Sequence, residues 1–179
     1  MNAQKTVLVG VCGSIASYKA ADIVSLLKKK GCDVHVILTR EAAEFITPLT
    51  LQTLSGNKVY TDMFESPEEW DTRHVSLAKR ASAIVIAPAT ANVIGKLASG
   101  VCDDLLTCTV FASEAPVVIA PAMNDVMYKN KIVQGNICAL KKIGYTFVGP
   151  KVGRLACGYE AIGCLTDVED IVKEVEKIL

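Results

Sequence analysis

The sequence lacks the features that mark nucleic-acid-binding, membrane and secreted proteins. Its 19 Lys and Arg residues balance 19 Asp and Glu residues, so the formal net charge is zero. This balance argues against a nucleic-acid-binding surface and against a basic helix on a membrane. No apolar run reaches the roughly 18 residues that span a bilayer, and the N-terminal apolar stretch looks like a strand, not a signal peptide. We therefore expect a cytoplasmic protein with no nucleic-acid or membrane partner.

Paired cysteines and metal-ligand spacings are also missing. The seven cysteines are odd in number and form no CxxC pair, which argues against a disulfide framework and a zinc ribbon. The chain has only two histidines, and we expect no metal site. The glycine-containing turn "VCGSIASYKA" is neither GxGxxG nor a Walker P-loop.

What the sequence does contain is a recurring pattern of apolar strands and helices. With 179 residues, 51% of them hydrophobic, it can bury the core of a single domain, predicted over residues 1–179. The predicted strands are 6–11, 33–38, 83–88, 116–121 and 145–149. Helices are predicted after Ile15 up to Gly31 and over 91–97, 103–112, 131–143 and 167–178. The alternation predicts an α/β fold, a three-layer doubly wound parallel sheet of the flavodoxin-like (Rossmann-like) kind, with five strands in the order 2-1-3-4-5.

Small and amide-bearing residues follow four of the predicted strands. They are Gly13-Ser14, Thr39-Arg40, 88–92 and 121–124. Ligands of open α/β sheets bind beyond the carboxyl ends of the strands, so these turns are the candidate binding site. Two of these turns also have a plain structural interpretation, because Ser14, and Thr90 or Asn92, are suitable helix N-caps. The alternatives are a phosphate at Ser14 and a flat ring or ribityl chain beside Thr90 and Asn92.

Two further residue types are candidates for chemistry. His35 alternates with valines in a strand and is interpreted as a packing or surface residue. His74 lies in a polar stretch before a helical segment and is the candidate proton acceptor. Cys157 lies in "GRLACGYEAIGC", whose three glycines predict a loop, and there it is expected to be exposed and reactive.

The motifs together resemble the homo-oligomeric flavin-containing cysteine decarboxylases. The resemblance rests on "GSIASYKAAD", "ITPLTLQTLSG", "HVSLAKRASAIVIAPATANVIGKLASG", "DDLL", "PAMNDVMY" and "GRLACG", and runs from about residue 5 to residue 170. The pair PxMNxxM and LACG in one chain is the specific part of it. The resemblance departs at "YEAIGC", where the family often has a further Gly-x-Gly and a basic residue, and at Tyr128, where many relatives have tryptophan.

The resemblance implies bound FMN and conversion of 4'-phosphopantothenoylcysteine to 4'-phosphopantetheine and carbon dioxide, a step of coenzyme A biosynthesis. It implies three catalytic residues: His74 assists thiol deprotonation, Asn124 binds the substrate carboxylate, and Cys157 donates the proton of the reducing step. The implied flavin contacts are Gly13, Ser14, Ile15, Thr39, Thr90, Ala91, Asn92, Val93 and Ala122. The methionines Met123 and Met127 are interpreted as packing the turn.

The implied chemistry explains why a flavin is needed. A cysteinyl carboxylate has no electron sink, so it does not lose carbon dioxide unaided. Oxidation of the thiol to a thioaldehyde lets decarboxylation leave an enethiolate, and return of the hydride by reduced flavin makes the cycle redox-neutral.

Alternative functions and the assembly are left open by the residues alone. A decarboxylase of a peptide C-terminal cysteine would use the same trio, a flavin prenyltransferase would share the fold, and a flavin-binding regulatory protein would bind without turnover. The resemblance further implies a homotrimer or an assembly of trimers, and a phosphopantothenate–cysteine ligase that is fused to the chain or separate.

Overall fold

A parallel sheet forms the centre of the molecule. The computed structural model describes residues 4–64 and 73–179. The sheet has six strands in the order β3-β2-β1-β4-β5-β6, each parallel to its neighbours. These are β1 (Thr6–Val11), β2 (Asp33–Leu38), β3 (Val59–Tyr60), β4 (Ala83–Ala89), β5 (Val117–Pro121) and β6 (Thr146–Phe147). The predicted flavodoxin-like order is confirmed, and β3 adds an edge strand that was not predicted.

Helices cover both faces of this sheet. They are α1 (Ala20–Lys29), α2 (Pro48–Ser55), α3 (Arg73–Arg80), α4 (Ala91–Ser99), α5 (Leu105–Phe111), α6 (Asp125–Lys129), α7 (Lys131–Lys142) and α8 (Val168–Ile178). Short 3₁₀ turns lie at Ile15–Lys19 and Ala42–Glu44. The predicted helices are confirmed with small shifts at their ends, whereas α2 and α6 were not predicted. His74 lies in the first turn of α3, so its predicted place before a helix is wrong.

The three layers follow from the alternation of side chains along the strands. In β1, Val7, Val9 and Val11 join one apolar cluster with side chains of α1, α2 and α8. Leu8 points to the other face and joins a second cluster with α4, α5 and α7. Because both faces are covered, several strands are apolar without polar alternation, as the sequence pattern indicated. Burial of this core fixes the sheet and thereby the positions of its strand ends.

An antiparallel hairpin lies outside the six-stranded sheet. It consists of β7 (Lys151–Arg154) and β8 (Glu160–Cys164). The prediction of a loop over 153–164 is therefore wrong for all but the turn. Of the glycines that suggested a loop, Gly153 and Gly163 allow close contacts of the hairpin strands, and Gly158 lies in the turn.

No helix in the described ranges is long and apolar enough to cross a membrane.

Candidate active site

The carboxyl ends of four neighbouring strands, β1, β2, β4 and β5, are joined by backbone hydrogen bonds. Cys12 N donates to Pro88 O at 3.2 Å, Thr39 N to Val11 O at 3.0 Å, and Ala122 N to Ala89 O at 3.0 Å. The pairing of β4 with β5 shifts register between Ile86 and Ala89, and such an irregularity changes the direction of the end of β4. The turns after β1, β2, β4 and β5 therefore meet at one edge of the sheet.

A cavity of about 290 Å³ lies where these turns meet. Eight of the nine predicted flavin contacts line it, namely Gly13, Ser14, Thr39, Thr90, Ala91, Asn92, Val93 and Ala122. The ninth, Ile15, lines a neighbouring cavity. These residues were predicted to gather at one site, and their placement matches that prediction. The ligand that they bind stays a prediction.

Gly13 lets two of the turns approach each other closely. A Cβ built on Gly13 would lie 2.5 Å from Glu41 Cβ and 3.1 Å from the Glu41 carbonyl carbon. Both atoms belong to rigid parts of the neighbouring turn, so a larger residue would push the turns apart. The glycine thus shapes the first cavity.

The polar side chains of this cavity also cap helices. Ser14 Oγ accepts from Ala16 N at 3.3 Å, and Thr90 Oγ1 accepts from Val93 N at 3.4 Å. The N-cap interpretation of Ser14 and Thr90 is confirmed, and Asn92 lies inside α4 and does not cap it. Since α4 begins at the cavity wall, its N-terminal dipole favours a negatively charged group there.

An ion-pair network reaches the cavity wall through Asp104. Lys96 Nζ lies 2.7 Å from Asp103 Oδ1 and 2.8 Å from Asp104 Oδ2, and Asp104 caps α5 through Thr107 N at 2.8 Å. Burial tends to raise the pKa of the Asp104 carboxyl, but the Lys96 and Thr107 donors outweigh it and hold that pKa below its ordinary value. The start of α5 at these aspartates was predicted and is confirmed.

Cys12 also lines the first cavity but is not a reactive thiol. It is buried, and burial raises the pKa of the Cys12 thiol to about 12. A thiol protonated at neutral pH is a weak nucleophile and acts here as a small apolar side chain.

A second cavity of about 650 Å³ adjoins the first and shares Ser14, Ala122 and Met123 with it. Asn124 and Cys157 both line this second cavity, and Asn124 Nδ2 lies 3.6 Å from Cys157 Sγ. Two of the three predicted catalytic residues are therefore in contact, 33 positions apart in the sequence.

The Asn124 side chain caps a helix and also faces the second cavity. Its Oδ1 caps α6 by accepting from Val126 N at 2.9 Å. The amide nitrogen is thereby directed away from the helix, towards Cys157. A helix cap thus sets which end of the amide faces the second cavity.

The hairpin brings Cys157 to this position. Leu155 N donates to Tyr159 O at 2.9 Å across the turn, and Met123 N donates to Gly163 O at 3.0 Å. A Cβ built on Gly163, whose φ is +140°, would lie 2.1 Å from Met123 O. Only glycine permits this contact between hairpin and strand end. Cys157 lies exposed at the turn, as predicted.

His74 is not brought to the other two catalytic candidates within one chain. It is half-exposed on α3. Within residues 4–64 and 73–179 it lines neither cavity and makes no hydrogen bond to Asn124 or Cys157. Its catalytic role stays a prediction. His35 is buried beside Asp33 and Arg80, which confirms its interpretation as a packing residue.

Several residues in or beside the cavities were missed or assigned only to packing. Met123 packs against the second core cluster and lines both cavities, whereas Met127 lines the first cavity and is 48% exposed, so the packing interpretation is incomplete. Tyr159 and Asp125, which contact each other behind Asn124, were not predicted. The only signal for them was their closeness in sequence to Cys157 and Asn124.

A family model described as Flavoprotein matches residues 1–179. The chain belongs to the flavoprotein family. This assignment implies a flavin cofactor. The predicted family resemblance and fold are thereby confirmed.

Relatives of this flavoprotein are named for coenzyme A biosynthesis. The bifunctional protein CoaBC of Bacillus subtilis is 49% identical over 173 residues, which are 97% of this chain and 43% of the relative. A probable phosphopantothenoylcysteine decarboxylase of Streptococcus mutans is 44% identical over 177 residues, which are 98% of this chain and 99% of the relative. The chain thus spans less than half the length of the bifunctional relative.

Solved structures similar to this flavoprotein include two decarboxylases. A cysteine-to-serine variant of a PPC decarboxylase in complex with pantothenoylaminoethenethiol superposes with a TM-score of 0.89, at 30% identity over 97% of each chain. The FMN-dependent cysteine decarboxylase SpaF superposes with a TM-score of 0.85, at 34% identity over 98% of each chain.

Proposed function

We propose that the chain is an FMN-dependent decarboxylase of 4'-phosphopantothenoylcysteine, which it converts to 4'-phosphopantetheine. The observation that carries this proposal is the contact of the Asn124 amide with the Cys157 thiol at 3.6 Å, in a cavity that adjoins the flavin site. A carboxylate ligand and a proton donor thus face the same space, as loss of carbon dioxide followed by protonation requires. The names of the relatives support the same activity.

The first cavity has residues suited to FMN. The backbone at Gly13 and Ser14 and the N-terminus of α4 suit the phosphate, and the small side chains of Ala91 and Ala122 leave room for a flat ring. A bound FMN supplies reversible two-electron oxidation of the substrate sulfur, so that decarboxylation has an electron sink and no external reductant is consumed.

Asn124 holds the substrate carboxylate without a charge of its own. An amide N–H donates a hydrogen bond, whereas a cation at this position would stabilise the ground-state carboxylate against loss of carbon dioxide. Cys157 then delivers a proton at the carbon from which the carboxyl group has left. Its exposed position at the turn suits this role better than the buried position of Cys12.

Positive charge in the second cavity supports an acidic substrate. Lys19 and Arg154 line the same cavity as Asn124 and Cys157. Two basic side chains suit a phosphorylated substrate. A peptide ending in cysteine, the substrate class of the second candidate function, has no such requirement. The similarity to SpaF keeps that candidate in the test.

We further propose that the active site is completed by another copy of the chain in a homotrimer or an assembly of trimers. His74 does not reach Asn124 or Cys157 within the described part of one chain, so a neighbouring copy is the available source of the base that deprotonates the substrate thiol. A phosphopantothenate–cysteine ligase, fused or separate, would supply the substrate.

The test combines spectra, products and subunit mixing. Purified protein should show flavin absorbance and turn over phosphopantothenoylcysteine in preference to a cysteine-terminated peptide. Cys157→Ser should release carbon dioxide but accumulate the unreduced enethiol, and His74→Asn should complete neither step. Mixed assemblies of these two inactive variants should regain activity if the site lies between copies. Failure to bind flavin, or normal product from Cys157→Ser at the parent rate, would refute the proposal.

A further inference from the structure

A second layer of hydrogen bonds lies behind Asn124 and Cys157. Tyr159 Oη donates to Asp125 Oδ1 at 2.7 Å, and the same oxygen accepts from Asn124 Nδ2 at 3.3 Å. Asp125 Oδ2 accepts from Lys129 Nζ at 2.8 Å. The phenol thus connects the loop after β5 with the hairpin turn, across 34 and 35 positions of sequence.

Asp125 is a suitable fixed point for this connection. It is a buried carboxylate, 7% exposed, in the first turn of α6, where the helix dipole favours negative charge. The Lys129 ammonium and the Tyr159 hydroxyl hold the pKa of the Asp125 carboxyl below its ordinary value. The same hydrogen bond raises the pKa of the Tyr159 phenol. At neutral pH the carboxylate is therefore ionised and the phenol protonated, which fixes the direction of donation.

We propose that Tyr159, held by Asp125, is a positioning residue that aligns the Asn124 amide with the Cys157 thiol. This inference rests on the proposed function and deepens it. Asp125 lies within the motif "PAMNDVMY" but was assigned no role there, and Tyr159 lies in the segment where this sequence departs from the family pattern.

The geometry divides the two amide hydrogens of Asn124 between two tasks. One N–H donates to Tyr159, which has already used its own hydrogen on Asp125. The other N–H faces Cys157 through a long 3.6 Å contact to sulfur, which is a weak acceptor. An incoming substrate carboxylate is a stronger acceptor and takes this second N–H. The thiol is then released beside the carboxyl group, where its proton is needed.

The hydroxyl also holds the turn that carries Cys157. Tyr159 is two residues beyond Cys157, and its backbone oxygen accepts from Leu155 N at 2.9 Å. The Tyr159 side chain is 46% exposed, so packing alone does not fix it. Without the bond to Asp125, the turn keeps its backbone bond but loses its side-chain attachment to the Asn124 loop.

The test uses Tyr159→Phe, which removes only the hydroxyl, with Tyr145→Phe as the matched control. Tyr145 is a half-buried tyrosine that lines neither cavity in the described part of the chain. In hydrogen–deuterium exchange, the peptide covering 155–160 should exchange about tenfold faster in Tyr159→Phe, since one hydrogen bond to a charged group is lost. The control should exchange like the parent protein there.

The second readout is the distribution of products. Tyr159→Phe should lower kcat about five- to tenfold and increase the fraction of unreduced enethiol, because Cys157 is misaligned for protonation. If the substitution only lowered the amount of folded protein, the yields of all products would fall together. Asp125→Asn should reproduce the shift, and the double variant should add little to either single change, because the two residues act as one unit.

The outcomes separate this inference from the proposed function. Unchanged exchange at 155–160 together with an unchanged product ratio would overturn the positioning role, even if the parent protein is an active decarboxylase. If the parent protein turns over neither substrate, the proposed function fails. The exchange experiment then still decides whether Tyr159 fixes the turn.

Discussion

The two cavities are built by different means although they share a wall. The first cavity, the proposed flavin cavity, is held by backbone hydrogen bonds between adjacent strand ends, from Cys12 to Pro88 and from Ala122 to Ala89. The second cavity, the proposed substrate cavity, depends on side chains of the hairpin turn and the Asn124 loop, which meet through Cys157 and Tyr159. The proposed cofactor site is therefore built by the sheet, whereas the proposed catalytic groups are held by a few separate contacts. Changes to the two regions should separate cofactor binding from turnover.

Gly163→Ala should separate turnover from cofactor binding most strongly. The new Cβ would lie 2.1 Å from Met123 O, at a φ of +140° that disfavours any side chain. The hairpin must then move away from the strand end. Turnover should fall on the order of a hundredfold through misplacement of Cys157, while flavin absorbance is kept.

A matched control for this change is Gly135→Ala. Gly135 lies within α7, and a Cβ there would meet nothing within 4 Å. The control should keep turnover and raise the melting temperature slightly. Loss of flavin from Gly163→Ala would contradict the independence of the two regions.

Gly13→Ala should have the opposite effect: it should weaken flavin binding and leave the product ratios unchanged. Its Cβ would lie 2.5 Å from Glu41 Cβ, so the turns after β1 and β2 must separate. Flavin affinity should fall about tenfold to a hundredfold, the range expected from overpacking. Titration of the apoprotein with flavin measures the change. Product ratios at saturating flavin should stay those of the parent protein, and a shift towards enethiol would show that the regions are coupled.

A smaller effect is expected from removing a helix cap at the wall of the flavin cavity. Asp104→Ala removes the cap of α5 and should cost about 1 kcal/mol of unfolding free energy, or about 2–4 °C in Tm. Asp103→Ala is the control, because Asp103 contacts Lys96 at 2.7 Å but caps no helix. Equal losses from the two changes would assign the effect to the Lys96 ion pair.

The smallest effect is the pH dependence of the same carboxylate. Because the pKa of Asp104 is lowered in the folded chain from an ordinary value of 3.8, its ionisation stabilises the fold above that value. This stabilisation is lost as pH falls through the lowered pKa. Asp104→Asn keeps a capping oxygen without the charge. Its Tm should lie below that of the parent protein at neutral pH, and the difference should shrink as pH falls below 3.8.

Part of the fold and part of the candidate site could be predicted from the sequence. The long strands follow from apolar runs, and the gathering of Gly13, Thr90 and Ala122 follows from the rule that parallel strands end at one edge. The strand order came from the flavodoxin-like arrangement that five such strands fit, because the apolar runs themselves do not fix it. The strands β3 and β6 have two residues each, too few for a periodic pattern, and only the second was predicted as part of a longer run.

The hairpin and the contacts of Tyr159 were beyond such reasoning. The glycines at 153 and 163 indicated a loop because close approach and turn formation favour the same residue. The hydrogen bond between Tyr159 and Asp125 depends on how the hairpin packs against a loop 34 residues away in the sequence. No local sequence pattern predicts this packing. His74 has no contact with the site within the described chain, so only the resemblance assigned its role.

The cap on α6 also decides the sign of charge that the substrate cavity accepts. The two ends of an asparagine amide have nearly the same shape but opposite hydrogen-bonding character. Since Val126 N occupies the oxygen, rotation of the amide by half a turn would leave a helix terminus uncapped and turn an acceptor towards the thiol. The cavity therefore meets only N–H groups at this point. An amine presented there would find no lone pair, and a decarboxylated product would leave because its anchor has gone.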